Sequence, residues 1–135
     1  MNYFLVKSEP SVYAFEQLVK EGKTVWDGIR NYAARLHLNA MKKGDKVLVY
    51  HTGNEKRITG LAQVSRPAFA DPSDKTGEWV AVELVPVKAL KKPVMLAVIK
   101  ADKRLMNMAL VRIGRLSVMP VTKEEFETII ELSNS

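Results

Sequence analysis

The stretch Lys46–Ser65, KVLVYHTGNEKRITGLAQVS, decides the fold. Lys46 to His51 is a short apolar run with the character of a buried strand. Gly53-Asn54 then turns the chain. Beyond the turn, Ile58, Gly60, Ala62 and Val64 alternate with Thr59, Gln63 and Ser65, the period-two pattern of a strand with one buried face. Strands joined by a turn pair antiparallel, whereas parallel neighbours need a crossover of a dozen or more residues. The middle of the chain therefore predicts an antiparallel sheet.

Working outward, Pro67 to Gly77 reads as a loop, with turn chemistry at Asp71-Pro72-Ser73-Asp74. Trp79 to Val87 is a further alternating strand. Pro93 to Lys100 fits a short helix and Arg115 to Val121 a strand. Thr122 to Leu132 is a helix, opened by a Thr122/Glu125 capping box and a Val121/Phe126 hydrophobic staple. Toward the N-terminus, Tyr3 to Lys7 forms a strand that Pro10 ends. Ser11 is placed to cap a helix whose Val12, Phe15, Leu18 and Val19 share a face and which Gly22 stops. A second helix follows Asn31, with Ile29, Ala33, Leu36 and Ala40 at helical spacing and Lys42-Lys43-Gly44 at its end. About five strands interleaved with three helices give an α+β class, with the sheet curled and antiparallel. A small barrel would close its edges.

The 135 residues fit one domain, spanning 1–135, and can bury a core without covalent staples. The chain lacks cysteine, which excludes disulfides, a thiolate nucleophile and a Cys-based zinc site, and fits a reducing compartment. The opening MNYFLVKSEP has no long apolar core of a secretory signal, and no run of about 18 apolar residues predicts a membrane span. The expected location is the cytoplasm, or the nucleus in a eukaryotic source.

The formal charge is +6, from 21 basic against 15 acidic residues. Such a balance attracts polyanions, because each neutralised phosphate releases counterions. Basic residues recur at Lys42, Lys43, Lys46, Lys56 and Arg57, and again at Lys100, Lys103, Arg104, Arg112 and Arg115. Acid gathers at Glu124, Glu125, Glu127 and Glu131. The basic surface is central and the acidic helix terminal.

Catalytic signatures are sparse. Two histidines, His37 and His51, stand without metal-ligand spacing, so no metal or cofactor is expected. Neither phosphate-cradling glycine loop is present, nor a GxSxG elbow. A Ser8–His51–Asp27 hydrolase can be drawn, since all three lie near element ends. Trp26, beside Asp27-Gly28, is either a core aromatic or a ring on which a base stacks. Asn31 suits a helix cap or a base edge, and Arg30 suits phosphate or guanine. Lys7-Ser8, Tyr50-His51-Thr52 and Arg115 with Ser117 each place polar groups around apolar strand sequence. Each has a plain structural explanation. Their common placement at strand ends and helix starts, where pockets form, argues for a site.

These residues also carry a family resemblance. Leu5-Val6-Lys7-Ser8-Glu9-Pro10 and Trp26-Asp27-Gly28-Ile29-Arg30-Asn31-Tyr32 resemble the opening motifs of the EVE domain. Met41-Lys42-Lys43-Gly44-Asp45, Val49-Tyr50-His51-Thr52, Gly60-Leu61-Ala62-Gln63-Val64 and Gly114-Arg115-Leu116-Ser117-Val118-Met119-Pro120-Val121 continue the match in order over nearly the whole chain. The EVE domain is PUA-like and related to YTH and ASCH domains. The resemblance implies a PUA-like curled antiparallel β-barrel flanked by helices, with a pocket for one flipped or single-stranded base, modified, in DNA or RNA; a monomer is expected. It implies a binding module and not an enzyme. Lys7 and Ser8 would line the pocket, Trp26 would wall it and Gly28 would allow close approach. Arg30 and Asn31 follow, His51 would offer a ring nitrogen, and Arg115 with Ser117 would close the far side. Three departures stand out. Residues 70–77 replace a longer loop, Ile113 stands where Gln is frequent, and His37-Leu38 replace more polar residues. A nucleotide hydrolase and a protein-interaction module are the competing readings.

Overall fold

Six strands and five α-helices alternate along the chain. They are β1 (Tyr3–Ser8), α1 (Phe15–Glu21), β2 (Thr24–Trp26), α2 (Tyr32–Ala40), β3 (Lys46–His51), β4 (Arg57–Ala70), β5 (Val80–Met95), α3 (Leu96–Ala101), α4 (Ala109–Arg112), β6 (Val118–Val121) and α5 (Lys123–Asn134), with a 3-10 turn at Lys103–Leu105. A computed structural model describes all of residues 1–135. The strands form one mixed sheet in the order β2-β5-β4-β3-β1-β6. The class is α+β, as expected.

The sheet departs from the expected antiparallel barrel in two ways. β1 and β3 run parallel, from Tyr3 opposite Lys46 to Ser8 opposite His51. The segment carrying α1, β2 and α2 is long enough to act as the crossover that parallel neighbours require. The sheet is also open, with β2 and β6 at its edges. All other pairings are antiparallel.

β3, β4 and β5 form the hairpin series read from Lys46–Ser65, but both long strands outrun the expectation. β4 continues through Pro67 to Ala70, and β5 runs from Val80 to Met95. Their ladder shifts register at several points, including between Arg66 and Phe69. Pro67 falls in that irregularity, where its missing N–H costs no ladder bond. Bulges of this kind bend a strand and let long strands curl.

The helices fall in a different phase from the expected one. Ser11 does not cap α1, because its N–H and hydroxyl are both taken by the Glu9 carboxylate. The helix begins at Phe15, so Phe15 and Leu18 are buried while Val12 and Val19 are exposed. Asn31 caps α2, its side-chain oxygen accepting from the Ala34 N–H at 3.0 Å. That cap sets a phase in which Ala34, Leu38 and Met41 face the core and Leu36 faces solvent. The Arg115–Val121 strand is shorter than expected: Arg115 and Ser117 precede β6, and only the Ser117 carbonyl joins the ladder, accepting from the Lys7 N–H at 2.9 Å. α5 opens on the Thr122/Glu125 capping box, with reciprocal bonds of 3.0 and 3.1 Å. Phe126 stacks on Tyr3 with ring centroids 4.4 Å apart. No helix is long and apolar enough to cross a membrane.

Gly60 in β4 lets α1 sit down on the sheet. A Cβ built at Gly60 would lie 2.5 Å from the Phe15 ring. Gly60→Ala is therefore expected to destabilise the fold by about 1–3 kcal/mol through overpacking. Urea unfolding followed by circular dichroism measures this. An unchanged midpoint would refute the close packing of Phe15 on Gly60.

Candidate nucleic-acid interface

The parallel pair sets the site. Register places Lys7 beside Tyr50 and Ser8 beside His51, so the C-terminal ends of β1 and β3 finish together. Next to them opens a cavity of about 530 Å³, lined by Lys7, Ser8 and Glu9 from the end of β1 and by Val12, Tyr13, Thr24, Val25, Trp26, Asp27 and Ile29. Its volume lies in the range of small-ligand sites. Trp26 is 8% exposed, packed into the core yet forming a wall. Its ring meets that of Tyr13 nearly edge-on, at 6.0 Å and 83°. The Tyr13 hydroxyl donates to Glu21 at 2.6 Å, which fixes the second ring. A flat ligand entering here meets the Trp26 wall and the Tyr13 ring, which are held at right angles to each other. Lys7 donates to the Gly114 carbonyl at 2.8 Å and lies 5.9 Å from the centre of the Tyr50 ring. Partial burial lowers its pKa from the ordinary lysine value.

His51 lies behind this cavity rather than in it. It is 1% exposed and both its ring nitrogens are committed. Nε2 accepts the Phe15 N–H at 3.0 Å, so Nδ1 carries the proton and donates to Glu55 at 2.9 Å. That bond from His51 leads the interactions holding the Glu55 carboxyl below its usual pKa. The ring nitrogen expected to face a ligand is instead engaged within the protein in this structure, where the imidazole caps the start of α1. Ser8 is turned inward, its hydroxyl donating to the Tyr13 carbonyl. Neither ring nitrogen of His51 bonds to Ser8 or Asp27, so the hydrolase triple drawn from sequence does not assemble. No group of three or more His, Asp or Glu side chains comes together as a metal site would require.

The Trp26–Asn31 segment is held by a residue that the sequence reading left in a turn. Asp71 is 2% exposed and collects the Gly28 N–H at 2.8 Å, the Arg30 guanidinium at 2.9 Å and the Ser73 N–H at 2.7 Å. Burial pushes the Asp71 carboxyl up, but the donors from Ser73, Arg30 and Gly28 outweigh it and hold the pKa down at about 2. Gly28 is at φ +78°, with open space around its Cα. Its need for glycine is the left-handed turn that aims its N–H at Asp71. Arg30 is spent on Asp71 and Ser73, and Asn31 on the helix cap. The short loop then closes onto α2. Asp74 binds the Thr76 and Trp79 N–H groups, which lower its pKa to about 2. Trp79 packs against Tyr32 at 5.1 Å, with Arg35 at 4.9 Å.

Of the nine residues expected at the site, Lys7, Ser8 and Trp26 line the cavity. Gly28, Arg30 and Asn31 brace the segment that carries Trp26. His51 braces α1. Arg115 is exposed and unpaired, and Ser117 is half-buried beside β1. Tyr13, Asp71 and Glu55 were missed. Tyr13 falls within the helix expected after Ser11, whereas α1 begins only at Phe15. Asp71 sits in a recognisable Asp-Pro turn, but its partners lie more than forty residues away in sequence.

Fold and cavity define an α+β domain with a ligand-sized, partly aromatic cavity at the ends of its parallel strands. The chain belongs to the EVE domain family, whose model matches residues 2–132. Thymocyte nuclear protein 1 of Homo sapiens is 32% identical over 165 residues, covering 97% of this chain and 73% of that protein. The solution structure of Rpa0253 from Rhodopseudomonas palustris superposes with a TM-score of 0.94 at 44% identity, covering 99% of this chain and 94% of that one. The structure of human THYN1 in complex with 5-methylcytosine-containing DNA superposes with a TM-score of 0.92 at 31% identity, covering 100% of this chain and 99% of the other.

Removing the Asp71 carboxylate deletes the acceptor shared by the Arg30 guanidinium and the Gly28 and Ser73 N–H groups, so Asp71→Ala is expected to cost about 1–2 kcal/mol. The pH dependence has a definite sign. The folded-state pKa lies below the unfolded value near 4, so the stabilisation is present above about pH 4 and is lost as pH falls through about 2. Urea midpoints from pH 7 to pH 2 are expected to converge for wild type and Asp71→Ala at the acid end. A constant gap would exclude Asp71 as the titrating group.

Proposed function

We propose that this domain is a nucleic-acid-binding module that captures a single modified base in the cavity walled by Trp26 and Tyr13, acting as a monomer. The observation that carries the reading is the pair of fixed rings at right angles in a cavity of about 530 Å³. Aromatic rings stack on any base, for about 1–3 kcal/mol each. Lys7, Ser8, Thr24 and Asp27 line the same space and bring polar groups suited to the edge of a base. A base leaves its stack at a cost of a few kcal/mol, so a single-stranded or weakly paired site is favoured. The human relative bound to 5-methylcytosine-containing DNA supports the ligand class and makes 5-methylcytosine the first base to test. The domain is read as a binder and not a catalyst, because the Ser8 hydroxyl and both His51 nitrogens are engaged within the protein.

Short single- and double-stranded DNA and RNA carrying plain or methylated bases, titrated at two salt concentrations, test the reading. Tighter binding to one modified base is expected. Trp26→Ala should remove that preference and weaken binding about 10- to 100-fold. Trp26 also packs in the core, so Val12→Asp provides an independent probe. Val12 is 78% exposed at the cavity, and a carboxylate there should repel the strand without unfolding the protein. Uniform affinity for every base, unchanged in both variants, would refute the cavity as a base site.

A further inference from the structure

On the other side of Lys7 lies a second depression, of about 250 Å³, that the base-capture reading does not use. Lys7, Lys56 and Lys100 line it, together with Tyr50, Thr52 and Gly53. No carboxylate lines it. Of the acids nearby, Glu9 has Oε1 beside Gly53 and Oε2 held by Ser11, and Glu55 is taken by His51 and Arg57. Every ion pair in the protein uses arginine or histidine: Arg30–Asp71, His51–Glu55, Arg57–Glu55, and Arg104 with Asp102 and Glu131. The three lysines of the depression therefore take part in no ion pair.

Two further features mark the place. Lys56 is the one non-glycine residue at positive φ, +48°, and its carbonyl is held by the Leu96 N–H at 2.8 Å. Left-handed backbone is uncommon for a lysine, and such geometry concentrates at binding sites. Lys7 meanwhile spends one N–H on the Gly114 carbonyl, leaving its other two for a ligand. Because Lys7 lines both hollows, an anion in the smaller one lies next to a base in the larger one.

We propose that this depression is a phosphate subsite, in which Lys56, Lys100 and the shared Lys7 hold the phosphodiester adjoining the captured base. The inference rests on the base-capture reading and adds the path of the strand: base on the Trp26 side of β1, backbone on the Tyr50 side. Lysine binds phosphate as a point charge, so the contact adds affinity without base preference.

The test uses Lys56→Gln with Lys100→Gln, both on exposed side chains, and single-stranded DNA with one 5-methylcytosine or cytosine. A parallel set carries a neutral methylphosphonate next to that base. The double variant is expected to bind both DNAs about tenfold more weakly at low salt, with the preference between them intact. Its slope of log K against log salt should flatten by about 0.7, the loss of one phosphate contact on a single strand. The methylphosphonate should weaken binding to wild type but hardly affect the double variant. An unchanged slope, or an equal methylphosphonate penalty in both proteins, would overturn the subsite. The two readings fail separately. A wild-type protein indifferent to methylation counts against base capture, whereas the slope and methylphosphonate comparisons bear on the phosphate contact alone.

Discussion

The structure depends on the parallel pairing of β1 with β3. Leu5, Val6, Leu48 and Val49 are buried at the centre of the sheet, and the two strands end in step at Ser8 and His51. Parallel strands finish on the same side, so their last residues converge on one edge, and crevices beyond the carboxyl ends of parallel strands are where ligands bind in open sheets. The crossover that makes the pairing possible supplies the rest of the cavity. The loop before α1, β2 and the turn after Trp26 all belong to it, so the segment that joins the strands also walls the site.

Buried polar side chains hold that crossover in place. His51 reaches back from β3 to take the Phe15 N–H, which no side-chain cap satisfies. Asp71 reaches across from the end of β4 to collect Gly28 and Arg30. A polar group buried without partners costs about 1–3 kcal/mol, so such groups specify one arrangement of the segments they join. Between them these residues fix the two ends of the segment bearing Tyr13 and Trp26. The rings thereby meet at a set angle rather than packing adaptively, and a preorganised cavity loses less entropy when a ligand binds.

Charge is divided across the same framework. Carboxylates are placed where they organise the protein, at Glu55, Asp71, Asp74 and Asp102, each accepting from local donors that lower its pKa. The lysines carry no ion pair. The positive balance is therefore available to solvent and to polyanions, concentrated where Lys7, Lys56 and Lys100 meet.

Much of this was legible in the sequence. The Lys46–Ser65 pattern specified the β3–β4 hairpin, Thr122 and Glu125 specified the start of α5, and Asn31 specified the start of α2, because periodicity and caps are local. The family motifs marked Lys7, Ser8 and Trp26, which line the cavity. Other features depend on contacts between distant segments. Periodicity carries no strand direction, so the parallel pairing of β1 and β3 was invisible. Residue type does not reveal a partner, so His51 and Arg30 read equally well as ligand contacts or braces until Phe15 and Asp71 were found beside them. The sequence by itself determined the local elements and the chemical repertoire at the strand ends. Tertiary structure alone decided which of those polar groups are consumed inside the fold and which are left facing the cavities, because a hydrogen bond is assigned by position in space and not by order along the chain.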